Sequence, residues 1–131
     1  AMRDWGHGER PARSILVGDL NIAPREDDVW NHRQLLKIVS HTPIETELLG
    51  DAQAAGAWVD ITRQDIPSGR LYSWWSYRSP DWDAADKGRR LDHVWASADI
   101  AAAGHGSRVL RAARGWDQPS DHAPVFATFD L

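Results

Sequence analysis

Cysteine is absent from this sequence of 131 residues, and no apolar run approaches the roughly 18 residues that cross a membrane. The first absence excludes disulfide bonds and cysteine-based zinc sites, and it leaves the redox compartment open. The second, together with the lack of a signal-peptide pattern, predicts no membrane partner and a cytoplasmic location. An excess of positive charge is also missing, because 19 acidic residues outweigh 15 basic ones for a formal net charge of −4. Bulk charge therefore does not hold this chain to nucleic acid, although a local basic patch can.

The composition that remains is typical of a single globular domain. Hydrophobic residues make up 42% of the chain and charged residues 26%, a balance that excludes intrinsic disorder. A chain of this size buries roughly two-thirds of its unfolded surface, which is enough for one core and not two. We interpret residues 1–13 as a short leading remnant followed by an extended lead-in, and residues 14–131 as the folded domain.

Hydrophobic periodicity and capping residues predict both helices and strands. Thr42, Pro43 and Glu45 form a helix start with a capping box, and Gly56 is the matching stop. A further helix is predicted over 28–39, and a short helix or turn over 100–103. Strands are predicted over 14–17, 71–77, 91–97, 107–112 and 125–131. The short connections between the last strands indicate the mixed α/β class, of the α+β type, with a mostly antiparallel sheet.

Acidic and amide groups follow the first predicted strand. Asp19 and Asn21 lie two residues apart, so in an extended chain both side chains point to the same side. One carboxylate and one amide oxygen can together address a hard cation, its bound water and a phosphate oxygen. The alternative is an Asx turn, in which the two side chains only bond the local backbone, and such turns dominate Asp/Asn-rich loops. The residues alone leave both interpretations open.

An imidazole beside a carboxylate lies near the other end of the chain. His122 titrates near neutrality and follows Asp121, which is a candidate metal ligand. A histidine that donates a proton or stabilises charge needs an orienting carboxylate, and Asp92 on another predicted strand is a candidate. The alternative is a surface Asp–His pair before a proline turn. Five histidines without such neighbours are interpreted as structural or surface residues: His7, His32, His41, His93 and His105.

Aromatic and arginine side chains lie close to these groups in the sequence. Trp74 and Trp75 suit base stacking or insertion into a distorted duplex, or alternatively they fill a core. Since neighbouring residues of a strand face opposite ways, at most one of the two is expected to take each role. Arg78, Arg89 and Arg90 can bind phosphates in a forked geometry, or they are solvated strand ends.

Four segments carry a resemblance to a known family; in chain order they read VGDLNIAP, YSWWSYRS, GRRLDHVWAS and PSDHAPV. They resemble the C-terminal half of the exodeoxyribonuclease III family, which belongs to the DNase I-like superfamily of metal-dependent phosphoesterases. The same superfamily includes abasic-site endonucleases. The resemblance runs from about Ile15 to Phe129. It implies half of a DNase I-like four-layered α/β sandwich, with a mostly antiparallel sheet and helices on one face.

The resemblance also implies roles for the residues at the matching positions. Asp19 would orient the attacking water or accept its proton, and Asn21 would hold a phosphate oxygen. His122 would hydrogen-bond the scissile phosphate, and Asp92 would polarise His122. Asp121, together with Asp19, would contact or support the metal ion, which is Mg²⁺ or Mn²⁺.

The tryptophan segment and the RRLDHVWAS segment resemble the DNA-repair branch of that superfamily. Trp74 would be the ring that probes a distorted or abasic nucleotide, with Trp75 directly beside it as a second candidate. Arg78, Arg89 and Arg90 would contact the DNA. The implied activity is hydrolysis of a phosphodiester bond in double-stranded DNA, either as an abasic-site endonuclease or as a 3′–5′ exonuclease.

Three features of the family's N-terminal half have no counterpart in this sequence: an early Asn motif, a metal-binding Glu in a QE context and a substrate-contacting Tyr. In the family the two halves form the two layers of one sandwich around a shared site. We therefore expect the C-terminal part of a nuclease, weakly active or inactive by itself, whose uncovered sheet face favours self-association. The alternatives are a non-catalytic DNA-binding or interaction module on a half-fold, and another phosphoesterase of the same superfamily.

Overall fold

The computed structural model describes residues 11–131 of the chain. The first ten residues of the predicted lead-in, His7 among them, lie outside the described residues. No helix within residues 11–131 is long and apolar enough to cross a membrane.

Two antiparallel sheets contain all the strands of the described residues. β1 (Ile15–Asp19) and β2 (Val59–Asp60) both pair with β3 (Asp92–Ala96), which lies between them. β4 (Gly104–Val109) pairs with β5 (Val125–Phe129) in a second sheet of two strands. Runs of apolar and β-branched residues in β1, β3 and β5 account for these strands.

Short helices connect the strands. In chain order they are α1 (His32–Leu35), α2 (Pro43–Ala55), α3 (Ile61–Asp65), α4 (Trp82–Ala85) and α5 (Ala98–Ala102), with two 3₁₀ turns at Glu26–Asp28 and Arg111–Gly115. Only α2 is longer than two turns. Its length follows from its own sequence, because it begins with a complete capping box and ends at Gly56.

The three-stranded sheet buries apolar side chains on both faces. On one face Trp95 packs against Leu49 of α2. On the other face Val94 and Ala96 join a cluster with α3, α5 and one side of β5. Because alternate residues of a strand share a face, Asp92 lies on this second face, at the end of β3.

Most of the predicted elements are confirmed. The Thr42 hydroxyl accepts a hydrogen bond from the Glu45 N–H over 3.4 Å, and the Glu45 carboxylate accepts one from the Thr42 N–H over 3.3 Å. The strands predicted over 14–17, 91–97 and 125–131 correspond to β1, β3 and β5, and the helix over 100–103 corresponds to α5. The predicted fold class, a mixed α/β chain with antiparallel sheets, is confirmed.

The helix predicted over 28–39 is wrong for most of its length, because only α1 forms there. Asp28 is buried in a 3₁₀ turn, and Val29 forms an isolated bridge with Arg89. α1 ends at Leu35, and residues 36–39 form turns and a bend instead of continuing the helix. Tertiary pairing therefore overrides the helical spacing of the apolar residues.

The strand predicted over 71–77 is also wrong. Trp74 makes isolated bridges with two different segments, at Arg89 on one side and His122 on the other. Trp74 exchanges both of its backbone hydrogen bonds with Arg89, and its neighbours Ser73 and Trp75 bond the segment around His122. Each pairing stops after one bridge, so no ladder forms. The strand predicted over 107–112 begins earlier, as β4, and ends at Val109, where a 3₁₀ turn follows.

Candidate active site

Two carboxylates meet at the end of the β1–β3 pair. The antiparallel register sets Asp19, the last residue of β1, opposite Asp92, the first residue of β3. Directly opposed residues of neighbouring strands carry their side chains on the same face of the sheet. Both carboxylates are partly exposed. The sheet therefore presents two acidic groups to solvent that are far apart in the sequence.

A short extended segment brings His122 to these carboxylates. The Ala123 N–H donates to the Ser73 carbonyl over 2.7 Å, and His122 itself bridges Trp74. This pairing places His122 beside Asp92, with its Nδ1 2.7 Å from Asp92 Oδ2. The distance is that of a strong hydrogen bond, in which the Nδ1–H donates to the carboxylate.

The second imidazole nitrogen of His122 faces the open side of the site. Its Nε2 lies 3.6 Å from Asp19 Oδ2 and 4.0 Å from Asp121 Oδ1. Because Asp92 fixes the proton on Nδ1 in the neutral ring, Nε2 remains available to a group that enters from solvent. The predicted residues Asp19, Asp92, Asp121 and His122 are therefore brought together.

The pKa of His122 lies above its ordinary value. Partial burial acts to lower this pKa, but the hydrogen bond to Asp92 and the negative charges of Asp92, Asp19 and Asp121 outweigh burial. The imidazolium form therefore persists to a higher pH than in a free histidine. An imidazolium that donates from Nε2 is suited to bind a phosphate oxygen.

Asp19 and Asn21 form a tight turn directly after β1. The Asn21 N–H donates to Asp19 Oδ1 over 2.9 Å, and Asn21 has a left-handed φ of 57°. This backbone-to-carboxylate hydrogen bond is the one that the Asx-turn interpretation predicts. Asp19 Oδ2, however, points toward His122. The two interpretations are therefore compatible, because one oxygen of the carboxylate holds the turn while the other faces the site.

Trp74 belongs to the rim of the site. Its indole Nε1–H donates to Asp121 Oδ2 over 3.0 Å, and the Arg89 guanidinium lies 5.2 Å from the centre of its ring. The side chain is only half-buried. The hydrogen bond fixes both the tryptophan ring and the carboxylate next to His122.

The structure corrects the prediction that Trp75 could contact DNA. Trp75 is only 2% exposed and packs with Tyr72 and Ala123. Its Nε1–H donates to Asp86 Oδ1 over 3.0 Å. Neighbouring residues of an extended segment face opposite ways, so Trp75 fills the core while Trp74 lies at the site.

The three predicted DNA-contacting arginines have different environments. Arg78 is exposed, whereas Arg89 donates from Nη1 to the Val39 carbonyl over 3.0 Å and to Ser40 Oγ over 2.8 Å. Arg90 is 0% exposed, so the prediction that it contacts DNA is corrected. Its guanidinium is paired with carboxylates in the core.

Ser73 is part of the site, although the sequence analysis did not single it out. Its Oγ accepts hydrogen bonds from the N–H groups of Leu91 and Asp92, each over 3.0 Å, and the residue is fully buried. Together with the Ala123 bond to its carbonyl, this hydroxyl holds the Asp92 and His122 segments side by side. The only signal in the sequence is a small hydroxyl residue between large aromatic rings.

The donor atoms of the site fit a hard divalent cation. Asp19, Asp92 and His122 each offer a ligand atom within 4.8 Å of the others. Carboxylate oxygens are the ligands that Mg²⁺ and Mn²⁺ prefer. The bond between Asp92 Oδ2 and His122 Nδ1 occupies one donor atom of each residue, so Asp19 Oδ2, the second Asp92 oxygen and His122 Nε2 are the candidate donor atoms. Asp121 lies next to this cluster but outside it.

Comparison with known proteins places this site in a described family. Residues 3–122 match the model of the Endonuclease/Exonuclease/phosphatase family. Exodeoxyribonuclease III from Haemophilus influenzae is 27% identical over 121 residues, which cover 88% of this chain and 45% of that protein.

Solved structures with a similar fold were also found. A 3′ phosphatase from Neisseria, bound to a product DNA hairpin, matches with a TM-score of 0.92 and 32% identity over 100% of this chain and 51% of that one. An AP endonuclease from Archaeoglobus fulgidus matches with a TM-score of 0.94 and 24% identity over 99% of this chain and 51% of that one, and it shows the fold alone. The chain thus spans about half the length of the relatives it matches.

Proposed function

Because the chain belongs to the Endonuclease/Exonuclease/phosphatase family, we propose that it carries the phosphodiester-hydrolysing site of a metal-dependent DNA-repair nuclease. The resemblance to the exodeoxyribonuclease III family that the four motifs carry is confirmed. The proposed substrate is double-stranded DNA, cut at abasic sites or trimmed from its 3′ ends. Relatives named as an exodeoxyribonuclease and as a 3′ phosphatase bound to a DNA hairpin support a DNA substrate without choosing between these two reactions.

The observation that carries the proposal is the alignment of Asp92, His122 and Asp19. Asp92 accepts from His122 Nδ1 over 2.7 Å, and His122 Nε2 faces Asp19 Oδ2 across 3.6 Å. This arrangement leaves a proton donor and a carboxylate oxygen side by side on a solvent-facing surface. A phosphate ester and an attacking water need those two groups.

The chemical step that we propose is in-line hydrolysis. The oxygen of a water molecule forms a new P–O bond while the P–O bond to the leaving sugar oxygen breaks, and the leaving oxygen takes up a proton from a solvent water molecule. Asp19 orients the water and accepts the proton that it loses. His122 donates a hydrogen bond from Nε2 to a phosphate oxygen and stabilises the charge that develops there. Asp92 holds the ring in place and favours its charged form.

Other side chains of the site bind and orient the DNA. Asn21 is exposed directly beyond Asp19 and is proposed to hold a second phosphate oxygen. Trp74, fixed by its bond to Asp121, is proposed to contact the distorted or abasic nucleotide. Arg89 lies against the Trp74 ring, and it and the exposed Arg78 are proposed to supply positive charge for the DNA backbone.

A divalent cation fits the acidic side of this site. Held by Asp121 with support from Asp19, Mg²⁺ or Mn²⁺ would supply neutralisation of charge on the phosphate and on the leaving oxygen. Asp121 is kept in place for that task by the Trp74 indole.

We further propose that the chain by itself is a weak nuclease, because it spans about half the length of its relatives. The open sheet face beside the site favours association of two copies. A cytoplasmic location stays a prediction.

The test uses the purified chain on two labelled duplexes, one with a single stable abasic-site analogue and one with a recessed 3′ end. We expect slow cleavage that requires Mg²⁺ or Mn²⁺ and that falls by about 100-fold or more in Asp19→Asn and His122→Gln, since each removes a group that acts in the transition state. Glu47→Gln on the exposed side of α2 changes the net charge by the same amount as Asp19→Asn, and it should leave cleavage unchanged. Comparing the two duplexes assigns the endonuclease or exonuclease preference.

Two results would contradict the nuclease proposal. Cleavage that is equal in the wild type and in Asp19→Asn would mean that the activity comes from a contaminant. Duplex binding in fluorescence anisotropy that is independent of metal and accompanied by no cleavage would favour a non-catalytic DNA-binding module.

A further inference from the structure

We propose that two buried histidines, His41 and His93, are positioning residues that hold the backbone of the loop Leu20–Ala23. By holding this loop they fix the side chains of Asp19 and Asn21 in the orientation that the reaction needs. The inference rests on the proposed function for its catalytic consequence, while the anchoring itself is a property of the fold.

Each histidine bonds a different carbonyl of the loop. His93 Nε2 lies 2.8 Å from the Ile22 carbonyl oxygen, and His41 Nδ1 lies 2.7 Å from the Ala23 carbonyl oxygen. A carbonyl oxygen only accepts, so both ring nitrogens must carry a proton and donate it. The two imidazoles are 1% and 2% exposed, so water does not replace these bonds. The loop is therefore anchored from two sides.

The opposite nitrogen of each ring fixes the tautomer. Arg90 Nη1 lies 3.3 Å from His93 Nδ1, and a guanidinium can only donate, so this nitrogen accepts. His32 Nδ1 lies 2.8 Å from His41 Nε2, which is the second nitrogen of that ring. His93 thus donates from Nε2 and His41 from Nδ1. Only side chains that place an N–H at these particular atoms can take over their roles.

The rest of the loop is bonded to the same neighbours. The Leu20 N–H donates to the Leu91 carbonyl over 3.0 Å, and the Ala23 N–H donates to the Ser40 carbonyl over 2.8 Å. Between these fixed points Asn21 has a left-handed φ of 57°. A non-glycine residue keeps that conformation when its surroundings determine it. The hydrogen bonds from His93 to the Ile22 carbonyl and from His41 to the Ala23 carbonyl add two more fixed points to this loop.

The catalytic consequence follows from the short distance between the loop and the reacting groups. Asn21 is the residue before Ile22, and the Asn21 N–H holds one oxygen of Asp19. A displacement of about 1 Å in such a group can cost about 100-fold in rate. Loss of either anchor should therefore lower kcat more than it changes KM for DNA.

Paired substitutions test the anchors separately from general destabilisation. His93→Gln and His41→Asn keep an N–H near the original donor atom, whereas His93→Leu and His41→Leu remove it. Ser97→Ala serves as the control, because it removes the buried Ser14–Ser97 hydrogen bond beyond the opposite end of β3. If a leucine variant does not fold, His93→Asn and His41→Gln replace it, since they place the amide at the wrong distance.

The first readout is amide hydrogen exchange of Leu20–Ala23 by NMR, and the second is kcat on duplex DNA. In His93→Leu and His41→Leu, which lack the donor, we expect the exchange rate of this loop to rise about tenfold or more, because a buried hydrogen bond is lost. In His93→Gln and His41→Asn, which keep an N–H, the rate should stay within a few-fold of the wild type. In Ser97→Ala the loop should exchange as in the wild type. In an active preparation, kcat should be lowest in the donor-removing variants and close to the wild-type value in the donor-retaining variants and in Ser97→Ala, while KM changes little.

The outcomes separate this inference from the proposed function. Unchanged loop exchange in the donor-removing variants would overturn the anchoring, whatever the activity. Faster exchange with an unchanged kcat in an active enzyme would overturn the catalytic role. If no variant and no wild-type preparation cleaves DNA, the proposed function fails, and the exchange data still decide whether the histidines hold the loop.

Discussion

His122 has a different neighbour at each of its two ring nitrogens. Nδ1 bonds Asp92 at 2.7 Å, while Nε2 faces Asp19 and Asp121 at 3.6 and 4.0 Å. Coulombic attraction falls with distance and with exposure to water, so Asp92 has the largest influence on the proton. Because the folded pKa is raised above the ordinary value of about 6.5, the protonated ring stabilises the fold below that pH. This contribution is lost as the pH rises through the folded pKa.

Asp92→Asn tests which neighbour sets the protonation of His122. The substitution removes the negative charge and leaves only a neutral amide oxygen as the acceptor for Nδ1, so we expect the pKa of His122 to fall toward or below its ordinary value. The stabilisation of the fold at acidic pH should decrease with it. NMR titration of the imidazole C–H signals, assigned by their loss in His122→Gln, measures the change. Asp121→Asn is the matched control and should lower the pKa less, because its carboxylate is more distant. An equal shift in both variants would contradict the leading role of Asp92.

At the scale of single residues, sequence motifs predict which polar groups meet but not which side chains are buried. Asp19, Asp92 and His122 come together as predicted, because they follow or begin strands whose pairing brings them to one end of the sheet. Arg90 looks like a surface arginine in the sequence, and only its long-range partners bury it. Trp75 likewise cannot be separated from Trp74 until the direction of the backbone is known.

Three elements that are distant in the sequence are joined by one buried group of charges. Asp28 Oδ1, in the first 3₁₀ turn, lies 2.6 Å from Arg63 Nη2 of α3 and 2.6 Å from Arg90 Nε, two residues before β3. Asp60 of β2 adds a second carboxylate 2.8 Å from Arg90 Nη2. Arg90 also touches His93, so this group of charges supports the loop beside the active site.

Asp28→Asn should destabilise the fold strongly, since it leaves two buried guanidinium groups short of one negative charge. We expect a loss of about 3–5 kcal/mol in the free energy of unfolding, measured by urea denaturation. Asp83→Asn is the matched control, because Asp83 pairs with the partly exposed Arg111 at the surface and should cost only about 0–1 kcal/mol. A similar small loss in both variants would show that the buried charges contribute little net stability.

Elements whose signals are local were predictable, and elements made by distant pairing were not. The capping box of α2 lies within four residues, so Thr42, Pro43 and Glu45 fix its start. β2 contains only two residues and exists because it pairs with β3, which a short sequence window cannot reveal. The stretch 71–77 has strand-like residues, but Trp74 bridges two separate segments.

At the scale of the whole molecule, the sheet face that carries the active site is open along β1. Ile15 and Val17 alternate with residues that face α2, so they lie on the same face as Asp19. They are 43% and 68% exposed, although Val94 and Ala96, paired with them on β3, are buried. Exposed apolar surface that continues a core is typical of an interface. A second copy of the chain is the occupant that we propose for it.

Val17→Lys tests this self-association, because a lysine at the centre of the open face cannot be buried in a dimer without a large desolvation cost. We expect the wild type to shift from monomer to dimer with rising concentration in sedimentation velocity, and the variant to remain a monomer with little change in thermal stability. Ile44→Lys is the matched control, since Ile44 is 62% exposed on α2, which covers the opposite face. The Ile44→Lys variant should form dimers as the wild type does. A wild type that sediments as a monomer at every concentration, or an equal loss of dimer in both variants, would contradict association through the β1 face.

Because Asp19 lies at the end of that same face, association should also slow access of duplex DNA to the site. The monomeric variant Val17→Lys should therefore cleave at least as fast as the wild type at high protein concentration.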